Sequence, residues 1–117
     1  MSRFEDWQRP LFDDDGYAHD AFSTKKYGWL CSHPENLELG KGCDIGAFTY
    51  IQSEYGVKIG KDVQIGAGCS IYSINTQNDT KGKVIIGDGS FVGAHTIILP
   101  GVKIPANSKI KAGSIIK

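Results

Sequence analysis

The three histidines of this chain are the side chains best suited to move a proton near neutral pH. They are His19, His33 and His95. A zinc site built from them would need close spacings along one strand or across neighbouring strands, and these separations do not provide that. The acidic run at residues 13–15 is explained more simply as a solvated charge cluster. The sequence therefore predicts no bound metal.

The cysteines point to a structural role. Cys31, Cys43 and Cys69 are odd in number and include no CxxC spacing, so neither a disulfide framework nor a zinc knuckle is favoured. Cys43 and Cys69 both fall at a position of the repeat described below that has room only for a small side chain. We expect both to be buried small residues rather than redox or metal groups.

The overall composition is that of one ordinary globular domain. The 117 residues are 40% hydrophobic, and 13 Lys+Arg balance 13 Asp+Glu. This hydrophobic fraction is too high, and the net charge too low, for a disordered chain. The sequence shows no membrane span and no signal peptide, and the zero net charge gives no reason to expect binding to nucleic acid or to a membrane surface. We therefore expect a soluble, cytoplasmic protein.

An aliphatic residue recurs every six positions from about residue 37 onward, apart from two interruptions. The recurring aliphatics are Leu39, Ile45, Ile51, Ile59, Ile65, Ile71, Ile86, Val92, Ile98, Ile104, Ile110 and Ile116. A helical stripe would recur every three to four residues and a plain strand every two, so a strict six predicts a parallel β-helix. Three hexads make one coil of a triangular prism, which gives about four coils over residues 37–117.

Residues 1–36 do not follow the repeat, and their start is acidic and aromatic. We expect a short irregular or helical N-terminal arm. The end layer of a coil stack exposes its core, so the natural role of this arm is to cap the first coil.

The two interruptions mark a candidate functional edge. Ile51 and Ile59 are separated by two extra residues, and Ile71 and Ile86 by nine. Because each insertion follows the third hexad of its coil, both should emerge at the same corner, one above the other. Loops that a rigid scaffold positions often carry function, so the longer insertion, at residues 72–85, is the predicted functional loop.

The third face of the predicted prism is the least charged. Its outward residues are Tyr50, Ser70, Ile97 and Ile115, with Tyr72 and Leu99 on the other side of their aliphatics. An apolar strip on a small prism indicates a protein partner, most simply further copies of the same chain.

The hexads, and above all the segment IIGDGSFVGAHTIILPGVKI at residues 85–104, resemble the left-handed β-helix acyltransferases that use acyl-coenzyme A. The resemblance covers residue 37 to the end, and the stretch GAxxxILPGV is typical of the acetyltransferase branch. It implies an all-β fold, a left-handed winding, and a homotrimer with active sites between subunits. It also implies acetyl-CoA as cosubstrate and a sugar or amino-sugar acceptor, as in bacterial surface-polysaccharide pathways.

The resemblance places the coenzyme along a corner of stacked small residues. These are Ala67, Gly68, Gly93, Ala94, Ala112 and Gly113. A pantetheine arm is thin and rich in amides, so it needs the close approach to backbone that glycine and alanine permit. The alternative is that these glycines only turn the chain. Residues 101–117 contain four lysines and no acid, and we expect Lys111 or Lys117 to contact the 3′-phosphate.

The long loop departs from the family in a way that leaves the general base open. In related sugar O-acetyltransferases a histidine in this loop is the base, whereas residues 72–83 contain none. One possibility is that His95 is the base. Another is an amine acceptor, which can lose its proton after attack, with Asn75, Ser73 or Asp79 orienting the sugar. The third is a non-catalytic relative.

Two tyrosines complete the candidate acceptor contacts. Tyr55 lies in the two-residue insertion and Tyr72 begins the long loop, so either could stack against a sugar ring. The sequence therefore predicts an acyl-CoA-dependent acetyltransferase that acts on a sugar or a nucleotide-linked amino sugar. The alternatives are a catalytically silent β-helix protein with a structural or assembly role and, third, a relative of the β-helical carbonic anhydrases.

Overall fold

The computed structural model describes residues 28–117. The part of the predicted arm at residues 1–27, with His19, lies outside the described residues. The described residues form three parallel β-sheets around one core, which confirms the predicted all-β, parallel β-helix of about four coils. They contain no helix with the length and hydropathy needed to cross a membrane.

Each sheet forms one face of a three-sided prism, and successive strands step from face to face. The first face contains β2 (Leu37–Leu39), β5 (Val57–Ile59), β10 (Val84–Ile86) and β13 (Lys103–Ile104). The second face contains β3 (Asp44–Ile45), β6 (Gln64–Ile65), β11 (Phe91–Val92) and β14 (Lys109–Ile110). The third face contains β1 (Leu30–Ser32), β4 (Tyr50–Gln52), β7 (Ser70–Tyr72), β12 (Ile97–Ile98) and β15 (Ile115–Ile116).

Two further elements lie at the corner between the third and first faces. One is a short 3₁₀ helix, Pro34–Asn36. The other is an antiparallel hairpin of β8 (Ile74–Asn75) and β9 (Thr80–Lys81), which occupies the longer insertion.

The hexad repeat produces the core because parallel strands pair in register, so each recurring aliphatic lies over its counterpart on the next coil. On the second face Ile45 pairs with Ile65, and Ile65 pairs with Val92. These side chains are 3%, 1% and 0% exposed. Full burial of such a side chain stabilises a fold by about 1.5–3 kcal/mol.

The second inward position of the hexad holds small side chains that also join neighbouring coils. Cys43 and Cys69 are fully buried there, as expected. Cys43 Sγ donates a hydrogen bond to the Gly60 carbonyl at 2.9 Å, and Cys69 Sγ donates one to the Gly93 carbonyl at 3.2 Å. Burial raises the pKa of the Cys69 thiol, which disfavours the thiolate that redox or metal chemistry requires.

The sheet of the third face begins before the first predicted hexad. Strand β1 pairs with β4, with Cys31 opposite Ile51, so residues 30–32 are part of the β-helix and not of an arm that ends at residue 36. The hexad pattern does not reveal this strand, because Cys31 occupies a position where an aliphatic is expected and Trp29 occupies one where a small residue is expected. Both side chains are fully buried.

The glycines that follow the inward aliphatics have a packing reason at two of the corners. A Cβ on Gly66 would approach the Ala94 nitrogen to 2.6 Å, and one on Gly60 would approach the Asp88 nitrogen to 2.8 Å. Real Cβ atoms do not come this close to backbone. The glycine spacing is therefore a requirement of coil stacking and does not by itself mark a ligand site.

Candidate functional site

The corner between the third and first faces, here called the loop corner, carries both insertions. Residues 53–56 turn this corner on one coil, residues 73–83 on the next, and residues 99–102 on the last. The structure thus confirms that the two insertions emerge at one edge of the prism, one above the other. Residues 33–36, with the 3₁₀ helix, turn the same corner on the coil before them.

The hairpin of the longer insertion is fixed at its base to the coils on both sides. The Gly82 amide donates to the Ser73 carbonyl at 2.9 Å, and the Gly101 amide donates to the Gly82 carbonyl at 3.1 Å. At the tip, Asn78 Oδ1 accepts from the Thr80 amide at 3.2 Å. The root of the hairpin therefore has a defined position relative to the coil that follows it.

Ser73 serves the scaffold of this corner. Its side chain is fully buried, and its Oγ accepts from the Tyr55 amide at 3.0 Å and donates to Gln52 Oε1 at 3.0 Å. The hydroxyl thus joins the two insertions to each other. This burial argues against the predicted role of Ser73 as a substrate contact.

A cavity of about 300 Å³ opens between the hairpin and the third face. Its lining residues combine one aromatic ring, two aliphatic side chains and three polar side chains without charge. They are Tyr72, Leu99, Ile74, Asn75, Thr76 and Gln77. The Tyr72 ring is in an edge contact with Tyr50, with centroids 6.1 Å apart. This mixture of an aromatic surface and amide groups is suited to a small polar ligand that has one apolar face.

Two of the five predicted acceptor contacts line this cavity, and three, including the buried Ser73, do not. Tyr72 and Asn75 do, whereas Asp79 is exposed at the hairpin turn, in a left-handed conformation with φ 56°. Tyr55 lies on the other side of the corner. Asn75 accepts from the Gln77 amide through Oδ1 at 3.1 Å, so its Nδ2 group is the part that can donate to a ligand.

Tyr55 belongs to a second, charged cavity of about 460 Å³ on the first-face side of the loop corner. Three glutamates and one lysine are among its lining residues: Glu35, Glu38, Glu54 and Lys83. Lys83 Nζ lies 3.4 Å from Glu38 Oε2. Lys81 Nζ lies 5.3 Å from the centre of the Tyr55 ring, a cation–π contact that ties the hairpin to the shorter insertion.

The corner between the second and third faces, here called the small-residue corner, brings together the six residues predicted to contact a coenzyme. Successive coils contribute to it Gly66-Ala67-Gly68, Gly93-Ala94-His95 and Lys111-Ala112-Gly113. Ala67, Ala112 and Gly113 are exposed, and Gly68 and Ala94 are partly exposed. This edge therefore presents methyl groups and backbone along three coils, which permits close approach by a thin ligand.

Gly93 differs from the other five because it is buried. A Cβ on Gly93 would lie 2.6 Å from the Ala112 Cα, so coil stacking explains why this position has no side chain. The burial argues against the predicted direct contact between Gly93 and a coenzyme.

His95 is exposed at the small-residue corner and adopts a left-handed backbone conformation with φ 59°. Its amide donates to the Ala67 carbonyl at 3.0 Å. Its imidazole lies against Gly68, where a Cβ would come within 2.7 Å of Nδ1. Within residues 28–117 the imidazole makes no hydrogen bond, so both ring nitrogens are available to a ligand.

The two lysines proposed for a phosphate contact lie at different corners. Lys111 precedes Ala112 at the small-residue corner. Lys117 follows β15 at the loop corner, in register with Leu99 of the neighbouring coil. The structure therefore associates only Lys111 with the predicted coenzyme edge.

Within residues 28–117, no three His, Cys, Asp or Glu side chains are close enough to hold a metal ion. Of the described histidines, His33 lies at the loop corner of the first coil and His95 at the small-residue corner of a later one. The two do not share a site.

The cavity contains lining residues that the sequence analysis did not select. Thr76, Gln77 and Ile74 were not chosen because the insertion has no repeat that would show which of its side chains face the prism. Leu99 was assigned only to the apolar third face. Its outward position next to the loop corner was the one available signal that it could also line a cavity.

Two family comparisons match successive parts of the chain. Residues 37–73 match the family described as hexapeptide repeat of succinyl-transferase. Residues 83–117 match the family described as bacterial transferase hexapeptide (six repeats). The gap between the two matches corresponds to the hairpin insertion.

Several curated relatives carry the name bifunctional protein GlmU. The chain is 35% identical over 111 residues to that of Clostridium novyi, 35% identical over 79 residues to that of Chromobacterium violaceum, and 33% identical over 92 residues to that of Streptococcus equi subsp. zooepidemicus. These alignments cover 85%, 68% and 74% of the chain, but only 24%, 16% and 19% of the relatives. The chain thus spans a quarter or less of the length of these relatives. No solved structure gives a significant match.

Proposed function

The chain belongs to the left-handed β-helix, hexapeptide-repeat acyltransferase superfamily, and from this premise we propose that it transfers an acetyl group from acetyl-CoA to a sugar or amino-sugar acceptor. In this reaction an acceptor oxygen or nitrogen attacks the thioester carbonyl carbon. The carbon–sulfur bond then breaks, and the acceptor's proton ends on the free thiol of coenzyme A.

The small-residue corner supports the donor half of this proposal. Along three coils it presents alanine methyl groups and glycine backbone. Its exposed side chains larger than alanine are His95, Lys111 and, on the coil before these three, Phe48, which is 82% exposed. A pantetheine arm placed there can pair its amides with the backbone. Lys111 is the cation at this corner that could meet the 3′-phosphate.

The cavity beneath the hairpin supports the acceptor half, and it is the single observation on which the choice of a sugar rests. It combines the Tyr72 ring with the amides of Asn75 and Gln77. A sugar ring has apolar C–H faces that pack on an aromatic ring, and hydroxyl groups that pair with amides. Asn75 can orient the acceptor but cannot take its proton, because a neutral amide is not a base.

His95 is the residue we propose to accept the proton of a hydroxyl acceptor. In one chain it lies at the opposite edge of the third face from the acceptor cavity. Ala94 and Leu99, on either side of this face, are five residues apart in sequence and so at most about 18 Å apart. A shared site at a subunit boundary would bring one copy's donor edge to the next copy's cavity.

The third face is the surface that we propose for this assembly, as a homotrimer. Its outward residues include Tyr50, Ile97 and Ile115, and Ile115 is 61% exposed. Covering such a strip with further copies of the chain removes apolar surface from water.

The competing proposal is a catalytically silent β-helix, and the absence of histidine from residues 72–83 favours it. Acetyl-CoA binding distinguishes the two. We expect millimolar acetyl-CoA to raise the melting temperature, because a ligand that binds only the folded form stabilises it. We also expect release of free coenzyme A thiol, detected with a disulfide dye, when a sugar acceptor is added. The absence of both effects would contradict the proposed transfer and support the silent alternative.

A further inference from the structure

We infer that Tyr55 holds the hairpin over its cavity through Lys81, and so acts as a positioning residue for the acceptor. This inference rests on the proposed function and adds to it a residue that acts from outside the cavity. It follows from the different surroundings of the two hairpin strands, because β8 supplies part of the cavity wall while β9 contacts the shorter insertion.

The hairpin is too small to keep its shape alone. Ile74 and Asn75 of β8 line the cavity, and Ile74 pairs with Lys81 of β9 in antiparallel register. An isolated two-stranded hairpin is marginally stable in water, so one with such short strands depends on contacts with the rest of the fold. Backbone hydrogen bonds of 2.9 Å and 3.1 Å fix its root at Gly82. Contacts that β9 makes beyond this root therefore influence where the wall lies.

Lys81 makes a contact of this kind with the ring of Tyr55. Its Nζ lies 5.3 Å from the ring centre, within the roughly 6 Å over which an aromatic face attracts a cation. Because Lys81 is directly opposite Ile74, the residue that the ring holds is the one paired with the cavity wall. At an exposed site such a contact changes an equilibrium constant by about two- to fivefold. The ring thus favours one position of the wall to a measurable extent.

Tyr55 is itself anchored by the coil that carries the hairpin. Its amide donates to Ser73 Oγ at 3.0 Å, and the same hydroxyl donates to Gln52 Oε1 at 3.0 Å. Ser73 is fully buried, and hydrogen bonds of a buried hydroxyl are protected from competition with water. The backbone of Tyr55 therefore has a fixed position, and its ring can hold Lys81 in place.

A second charged contact near β9 contributes less to the position of the wall. Lys83 Nζ lies 3.4 Å from Glu38 Oε2, and both side chains are about half-exposed or more. Exposed ion pairs stabilise little, because salt screens them and two long side chains must be ordered. Lys83 also follows the root at Gly82, whereas Lys81 lies within the paired strand. We therefore assign the positioning role to Tyr55 and Lys81.

Hydrogen exchange tests whether Tyr55 holds the hairpin, and it needs no substrate. In Tyr55→Leu we expect the amides of residues 74–81 to exchange about two- to fivefold faster, as measured by mass spectrometry. Tyr55→Phe keeps a ring and should exchange like the original protein. Phe91→Leu is the matched control, since Phe91 is 42% exposed, against 41% for Tyr55, and lies on the second face. Unchanged exchange in Tyr55→Leu, or equal acceleration in either of the other variants, would overturn the inference.

Lys81→Met tests the same contact from the hairpin side. It removes the cation and keeps an apolar stem, so it should accelerate exchange as much as Tyr55→Leu does. Both changes remove one shared contact, so the double variant should exchange no faster than either single variant. Additive effects would mean that the two residues act separately, and would overturn the inference.

Steady-state kinetics tests the consequence for the acceptor. Release of coenzyme A thiol is measured with acetyl-CoA and either glucosamine or methyl glucoside as the acceptor. We expect Tyr55→Leu to raise the KM for the acceptor about two- to fivefold. The kcat and the KM for acetyl-CoA should stay unchanged, because the proposed donor edge lies at another corner, and Tyr55→Phe should restore the acceptor KM. An unchanged acceptor KM, or a fall in kcat of the same size, would overturn the positioning role.

The two experiments keep this inference apart from the proposed function. If the original protein releases no coenzyme A thiol with either acceptor, the proposed transfer fails for these sugars, while hydrogen exchange still decides whether Tyr55 holds the hairpin. If transfer occurs but exchange in residues 74–81 does not respond to Tyr55→Leu, the proposed transfer stands and the inference fails.

Discussion

The imidazole of His95 lies against Gly68 of the preceding coil, so closely that a Cβ on Gly68 would come within 2.7 Å of Cε1 and Nδ1. Gly68 has φ +70°, and Gly113, one coil beyond His95, has φ +75°. The coils on either side of His95 therefore both have glycine at the position equivalent to His95. The position of the imidazole depends on residue 68 having no side chain.

Gly68→Ala should lower the free energy of unfolding by about 1–3 kcal/mol, since it adds both a left-handed alanine and a clash with the imidazole. Gly113→Ala is the matched control, because it has the same φ but no atom within 4 Å of its Cβ. Gly113→Ala should lower the free energy of unfolding by only about 1 kcal/mol. Urea unfolding measures both. Equal costs for the two variants would mean that the imidazole does not lie where the structure places it.

Ala94→Leu should weaken acetyl-CoA binding at least tenfold in isothermal titration, because a larger side chain fills the proposed pantetheine edge. Ala106→Leu makes the same change at the equivalent position of the corner between the first and second faces, and should leave binding unchanged. Gly93→Val is not a suitable probe, since Gly93 is buried against the Ala112 backbone and the variant would disturb the coil stack. Similar losses for both leucine variants would argue against a coenzyme at the small-residue corner.

His95→Asn should reduce turnover of a hydroxyl acceptor by about 10²–10⁴-fold if His95 is the general base. Asparagine tolerates the left-handed conformation at this position, so the loss would reflect chemistry and not backbone strain. His33→Asn makes the same exchange at another left-handed position and should retain activity. Turnover within a few-fold of the original protein would show that His95 is not the base, and would favour an amine acceptor.

Ile97→Asp should convert the proposed trimer to monomers in light scattering, and acetyl transfer should be lost with the assembly, because a carboxylate at the centre of the third face cannot be desolvated without a partner. Ile85→Asp places the same charge at an outward position of the first face, opposite Lys58 and Lys103, and should leave the mass unchanged. A monomeric Ile97→Asp variant with full activity would exclude a site shared between subunits.

The buried thiol of Cys31 should make the fold less stable at alkaline pH. Burial raises its pKa from 9.0 to about 11, although a hydrogen bond with Ser53 opposes the shift. Above about pH 9 the unfolded chain releases this proton while the folded chain keeps it, so the free energy of unfolding should fall as pH rises towards 11. Urea unfolding at pH 8 and pH 10.5 measures the loss, and Cys31→Ala should make it smaller. An unchanged loss in Cys31→Ala would assign it to other groups.

The repeat predicted most of the fold because six-residue spacing leaves few ways to bury every aliphatic. Once Ile45, Ile65 and Val92 must stack, three hexads per coil follow, and the two insertions fall at one corner. The repeat did not predict the first strand of the third face, because cysteine at position 31 and tryptophan at position 29 do not match the hexad pattern. Both side chains are nevertheless fully buried in the core.

The sequence by itself determined which edge of the prism each residue of the repeat occupies, because counting residues in sixes gives the face and corner of each one. Only the tertiary structure decided what the side chains do there. Counting could not show that Ser73 turns inward to join the insertions, or that Tyr55 and Tyr72 line different cavities. The physical reason is that the insertions have no period, so hydrogen bonds and packing between coils, and not spacing along the chain, set the direction of each side chain.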